Sequence, residues 1–173
     1  HQLSLRLLRQ ETDKDAAWSL PRRSDLAERC LASLPFKLTG AQKRVWAEIA
    51  LDLERPHPMM RLVQGDVGSG KTVVAALAAV RAVEHGAQAA VMAPTELLAE
   101  QHARNFNAWL EPLGVRIALL TGRQTGKVRA ALETDLASGA IQVAVGTHAL
   151  FQEGVAFQRL VLAIVDEQHR FGV

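Results

Sequence analysis

The 173-residue sequence predicts an α/β fold, a parallel sheet flanked by helices. Three observations predict it. From Phe36 onward, short apolar runs alternate with longer stretches of helical periodicity, the rhythm of strand–helix–strand units. Runs such as LVLAIV, Leu160–Val165, are apolar throughout, as strands buried on both faces are. Between one such run and an alanine-rich helical stretch stands GDVGSGKT, Gly65–Thr72, with three glycines within six residues.

The elements follow in order. HQLSLRLLRQ reads as the end of a helix, and the charged, proline-stopped ETDKDAAWSLPRR as a loop. Ser24 is placed to cap a short helix with Leu26, Cys30 and Leu34 at i, i+4 and i+8, closed by Pro35. A helix is expected over 40–53, with Val45, Ile49 and Leu53 on one face, and Pro56 and Pro58 break it. A strand is expected over 60–64, then the glycine loop, then a helix over 71–85. Strands near 88–93, 115–120, 141–145 and 160–165, with helices near 96–110 and 126–138, complete the pattern. Residues 1–35 are therefore taken as a helical linker and 36–173 as the main domain.

Composition narrows the class without naming a function. Hydrophobic residues make up 49% and charged residues 22%, as in an ordinary globular chain. The formal charge of +2 is too small to argue for nucleic acid by itself. Cys30 is the only cysteine, so no intrachain disulfide is possible, which fits a reducing cytoplasm. It is expected to pack on a helix. The six histidines show no metal-ligand spacing, and no zinc site is expected. No apolar run approaches the roughly 20 residues of a bilayer span, and the N-terminus lacks the pattern of a signal peptide.

The glycine loop carries the chemistry. Gly65-x4-Gly70-Lys71-Thr72 is the phosphate-loop pattern, placed after an expected strand and before an expected helix. Gly65, Asp66, Val67, Gly68, Ser69 and Gly70 would turn backbone N–H groups toward the β- and γ-phosphates with little side-chain obstruction. Lys71 supplies a mobile charge, and the Thr72 hydroxyl suits a Mg²⁺ shell. A nucleoside triphosphate is the expected ligand. The run LVLAIVDEQH ends a strand on adjacent carboxylates. Asp166 suits holding Mg²⁺, through water, and Glu167 suits orienting and deprotonating an attacking water.

With both motifs in place, the chain resembles the motor of a superfamily 2 helicase. GDVGSGKT resembles motif I, APTELLAEQH motif Ia, Thr121–Gly122 motif Ib, VGTHALF the segment before motif II, and DEQHRFGV motif II. The resemblance spans about 34–173 and implies a RecA-like phosphate-loop NTPase domain, incomplete at its C-terminal side. Among such motors it lies nearest the DNA helicases that remodel forks and four-way junctions in recombination and repair. Transcription-repair coupling factors are the neighbouring branch; Ser69, Glu96, Glu100 and Gln168 fall on the junction-helicase side. The resemblance assigns adenine recognition to Gln42, although Thr39-x-x-Gln42 equally fits a capping box. It assigns backbone contacts with DNA to Thr95, Glu96, Thr121, Gly122 and Thr147, although Thr95 also suits a helix cap. Gln168 and His169 would couple nucleotide to DNA, with a plain surface role the competitor for His169. Trp18, Trp46 and Trp109 read as packing groups.

In such motors a motif III strand inserts between the phosphate-loop strand and the strand ending in Asp-Glu. That strand lies beyond Val173, as would a second motor domain with its arginine finger and a wedge domain. The chain is thus expected to belong to a longer, bacterial-type cytoplasmic, nucleoid-associated polypeptide acting on branched double-stranded DNA. A single-stranded-DNA-binding protein is a candidate partner. The fragment alone is expected to hydrolyse ATP poorly. A phosphotransferase is the reading from a different class, but no acceptor-binding lid is visible in the sequence.

Overall fold

The computed structural model describes residues 17–61, 63 and 70–166. Its helices are α1 (Leu26–Ser33), α2 (Gly40–Glu54), α3 (Lys71–Glu84), α4 (Glu96–Leu110) and α5 (Gly126–Ser138). Its strands are β1 (Gln88–Met92), β2 (Ile117–Leu120), β3 (Val143–Gly146) and β4 (Leu160–Val165). Two short 3-10 turns follow α4 and β3. The strands form one sheet in the order β2-β3-β1-β4, with every pairing parallel.

The pleat divides the side chains between two cores. Ala89 and Val91 of β1, with Val143 and Val145 of β3, enter the larger core beside α2, α3 and α4. Ala90 and Ala144 face the other way, against Leu136 of α5 and Leu120, Ile141 and Leu150. Helices thus cover both faces, which is why the strands carry no polar alternation. Along α3, ten of the eleven positions from Val73 to Val83, all but Ala75, are buried, so this helix is enclosed rather than half-exposed. Gly146 belongs to the same economy of space: an added Cβ would run into the Leu120 carbonyl and the Leu150 side chain.

Described residues before 36 join this core. Leu20, Ala27 and Cys30 are buried in the cluster that contains α3. Leu20 N–H donates to the Leu53 carbonyl at 2.7 Å, and Arg23 N–H donates to Glu84 Oε2 at 3.1 Å. The buried Arg81 guanidinium donates to the Leu20 carbonyl at 3.3 Å and lies 5.6 Å from the Trp46 ring centre. Trp109 packs edge-on against Phe36 with ring centres 5.9 Å apart, and the exposed Trp18 lies 4.1 Å from the Arg159 guanidinium.

The structure adjusts several expectations. Met60, Arg61 and Val63 are not in a strand, while Leu62 and Gln64 lie outside the described residues. A strand exists only by sharing a ladder with a neighbour, and among the described residues β4 pairs with β1 alone. Val63 instead packs against the core, and Arg61 turns outward to Asp52 and Glu48, at 2.6 and 2.8 Å. The strands expected from 115 and 141 start two residues later, because Val115 and Ile141 are buried in the approach turns. Asp25 occupies the N-cap position of α1, while the Ser24 hydroxyl still accepts from Leu26 N–H at 3.2 Å.

Candidate nucleotide and nucleic-acid site

A parallel sheet gathers the residues that follow its strands along one rim. The rung Leu120–Gly146–Met92–Val165 is the last in register across all four strands. Thr121, Thr147, Ala93 and Asp166 therefore step off the sheet side by side. Helix α3 precedes β1 through a tight turn and runs back against it, so its first turn reaches the same rim. Ligands of open α/β sheets bind at this carboxyl edge.

Gly70 opens α3 as its N-cap, with φ at 77°, in the left-handed region. A side chain is excluded there twice, by that conformation and by the Gln42 amide that an added Cβ would strike. Lys71 is exposed and Thr72 half-buried in the first turn, which contains no acidic residue. The partial positive charge of the helix terminus and the Lys71 ammonium therefore reinforce one another. Gly65, Asp66, Val67, Gly68 and Ser69 lie outside the described residues.

Gln42 forms the capping box: Thr39 N–H donates to its Oε1 at 2.9 Å, and its own N–H donates to Thr39 Oγ1 at 3.2 Å. The same amide presents Nε2 to Gly70, so the start of α2 abuts the end of the glycine loop.

Asp166 N–H donates to the Met92 carbonyl at 2.8 Å, which fixes the backbone just past β4. Its carboxylate Oδ2 accepts from His102 Nε2 of α4 at 2.7 Å. Glu167, Gln168 and His169 lie outside the described residues. Among the described residues no group of three or more His, Cys, Asp or Glu side chains is arranged for a metal. The Thr72 hydroxyl and Asp166 carboxylate are hard oxygen donors, and so small a protein set fits Mg²⁺ shared with substrate phosphates rather than caged by protein.

The neighbouring loops are tied to one another. The Thr95 hydroxyl accepts from Leu98 N–H at 3.3 Å and caps α4. Glu96 pairs with Arg123 of the loop after β2. Thr121 is buried, and its N–H donates to Gln124 Oε1 at 2.8 Å, leaving the exposed Gly122 at the turn's surface. Thr147 opens the 3-10 turn after β3. Arg129 of α5 spans both loops, donating from Nη1 to the Thr121 carbonyl at 3.1 Å and from Nη2 to the Ala149 carbonyl at 3.2 Å. Its Nε bonds Glu133 at 2.8 Å, so the planar fork is held in place.

Sequence reasoning missed His102, Arg123, Gln124 and Arg129. A signal existed for two of them. Arg129 and Glu133 are an i,i+4 pair, and His102 borders the buried stripe Ala99, Ala103, Phe106 and Leu110 of α4.

A glycine-capped helix start and an acidic strand end on one rim of a parallel sheet are the arrangement of a RecA-like phosphate-loop domain. The chain belongs to the DEAD/DEAH box helicase family, whose model matches residues 39–173. Its own acidic motif reads Asp166-Glu167-Gln168-His169. Among curated relatives, the ATP-dependent DNA helicase RecG of Escherichia coli strain K12 is 58% identical over 173 residues, all of this chain and 25% of that protein. RecG of Haemophilus influenzae is 55% identical over the same share. This chain thus spans about a quarter of the length of these relatives. A solved structure of RecG bound to a three-way DNA junction superposes with a TM-score of 0.88 at 46% identity, covering 99% of this chain and 24% of that one. A hypothetical ATP-dependent RNA helicase from Sulfolobus tokodaii shares the fold, with a TM-score of 0.62 at 21% identity, over 83% of this chain and 41% of that one.

Proposed function

We propose that this chain is the ATP-binding half of the motor of a DNA helicase that remodels branched DNA. The observation that supports it most is the common rim. The start of α3 and the ends of all four strands bring Lys71, Thr72 and Asp166 to the same edge as Thr95, Gly122 and Thr147. In this reading residues 1–35 lead into the motor, and 36–173 are the first part of its first RecA-like domain.

Each residue then has a task. Gly65–Gly70 surround the phosphates with main-chain N–H groups, and Lys71 neutralises charge on the β- and γ-phosphates. Thr72 and Asp166, the latter through water, would hold Mg²⁺, and the ion would supply charge neutralisation at the phosphate oxygens. Glu167 takes the proton of the attacking water. Gln42 reads adenine beside its capping role. Thr95, Glu96, Gly122 and Thr147 line the DNA track. There, exposed main-chain N–H groups and hydroxyls position a phosphate backbone without reading bases. The buried Thr121 shapes its loop through its main chain. Gln168 and His169 relay between the two sites.

The likeness to a RecG solved on a three-way DNA junction supports branched double-stranded DNA as the substrate; in the same reading a bacterial cytoplasm is the place of action and a single-stranded-DNA-binding protein a partner. Among the described residues no helix is long and apolar enough to cross a membrane. The relatives reported above favour neither a transcription-repair coupling factor nor a phosphotransferase.

The test uses the full-length protein. Lys71→Ala and Glu167→Gln should each abolish ATP hydrolysis stimulated by a three-way or four-way junction, while Glu167→Gln still binds ATP. Stimulated turnover close to wild type in either variant overturns the reading.

A further inference from the structure

One contact joins the nucleotide side of the rim to a helix with no other described link to that carboxylate. His102 Nε2 lies 2.7 Å from Asp166 Oδ2, with the imidazole 14% and the carboxylate 29% exposed. An ionised carboxylate only accepts hydrogen bonds, so Nε2 carries the proton and donates. The pair is largely withdrawn from water, where such a charge-assisted bond is short and directional.

The sequence builds this contact from α4. Ala99, 0% exposed, and Ala103, 5% exposed, put small side chains on the sheet-facing stripe, while His102 stands at that stripe's edge. The helix is anchored at the rim by the Thr95 cap and by the Glu96–Arg123 pair. His102 stands seven residues beyond Thr95, roughly 10 Å along the axis at about 1.5 Å per residue. Asp166 is thus held at two points, Oδ2 by the imidazole and the backbone by Met92, and its second oxygen is the one toward a metal or its water shell in this reading.

We propose that His102 is a positioning residue for Asp166: it fixes the metal-side carboxylate and ties it to α4, the helix that starts in the candidate DNA track. This rests on the reading of Asp166 as the Mg²⁺-side acid. Partners that orient a metal-binding group typically contribute 10–100-fold to metal affinity, so the effect belongs in the Mg²⁺ dependence of nucleotide binding rather than in folding.

The test compares His102→Leu, which keeps bulk and helix propensity but removes the donor, with His102→Gln, whose amide keeps one. In the full-length protein, a fluorescent ADP is titrated at a series of Mg²⁺ concentrations, without hydrolysis, and thermal melting is recorded beside it. The expected result is an increase of about 10-fold in the Mg²⁺ needed for half-maximal binding in the Leu variant. The Gln variant should stay close to wild type, with ADP affinity in the absence of Mg²⁺ alike in all three. Equal Mg²⁺ dependence in all three proteins overturns the proposal, and so does equal impairment of Leu and Gln, which marks a packing role. If Asp166→Asn itself leaves the Mg²⁺ dependence unchanged, the underlying reading of Asp166 fails, and that outcome is distinct from a failure at His102 alone.

Discussion

Cys30 shows what burial does to a single side chain. It is 0% exposed on α1, and desolvation pushes its thiol from 9.0 up to about 11. Between those two values the unfolded chain releases this proton while the folded chain keeps it, so ionisation favours unfolding. Stability contributed by Cys30 is thus fully present below pH 9 and declines as pH rises toward 11. Chemical denaturation of wild type and Cys30→Ala should diverge across that window, with the steeper loss in wild type; parallel curves would contradict it. The helix and its apolar spacing were legible in the sequence, whereas the rise in pKa was not, because it depends on partners from other elements. Gln42 teaches a related lesson. The Thr39-x-x-Gln42 spacing foretold the capping box, but the approach of the amide to Gly70 needed the fold.

Among the elements, the junction around β1 carries a polar clamp that no periodicity announces. Gln88 is 2% exposed, yet its Nε2 donates to the Leu136 and Ile141 carbonyls at 2.9 and 2.8 Å, and its Oε1 accepts from Arg159 N–H at 2.9 Å. One amide thereby fastens the end of α5 and the approaches to β3 and β4 onto the first residue of β1. Gln88→Leu removes the side-chain partner of the Ile141 carbonyl and of Arg159 N–H, at about 1–3 kcal/mol per buried group left unpaired, while the Leu136 carbonyl keeps Gly139 and Gln158 N–H. A net loss of about 3 kcal/mol in urea denaturation is the expected outcome; a change under 1 kcal/mol would contradict the clamp. The alternation of strands and helices was readable from apolar patterning, with boundaries within about two residues, the usual uncertainty at element ends. Of the strand expected over 60–64, the described Met60, Arg61 and Val63 are not in one, because a strand is a property of two segments and its partner is not encoded locally. Lys71, Thr72, Asp166 and Thr147 could be named from motifs; for Arg129 and His102 the sequence offered only an i,i+4 pair and a place at the end of APTELLAEQH, because their bonds to Thr121, Ala149 and Asp166 arise only in the fold.

At the scale of the molecule, a parallel sheet with helices on both faces converts a linear order of motifs into one edge. The phosphate-loop helix and the acidic strand end are separated by most of the described chain, and the common strand direction brings them to the same side. Tie points then stiffen that edge: Arg129 between two loops, Glu96 with Arg123, and His102 with Asp166. Such fixed geometry suits a site where rate comes from positioning and electrostatics rather than from covalent chemistry. The most direct measurement is a crystal structure of the full-length protein with Mg²⁺ and a non-hydrolysable ATP analogue. The account predicts the β- and γ-phosphates at the first turn of α3, Lys71 on them, and one metal shared by Thr72 and, directly or through water, Asp166. A triphosphate bound at the opposite edge of the sheet, or a metal that leaves Asp166 more than about a water's breadth away, would contradict it.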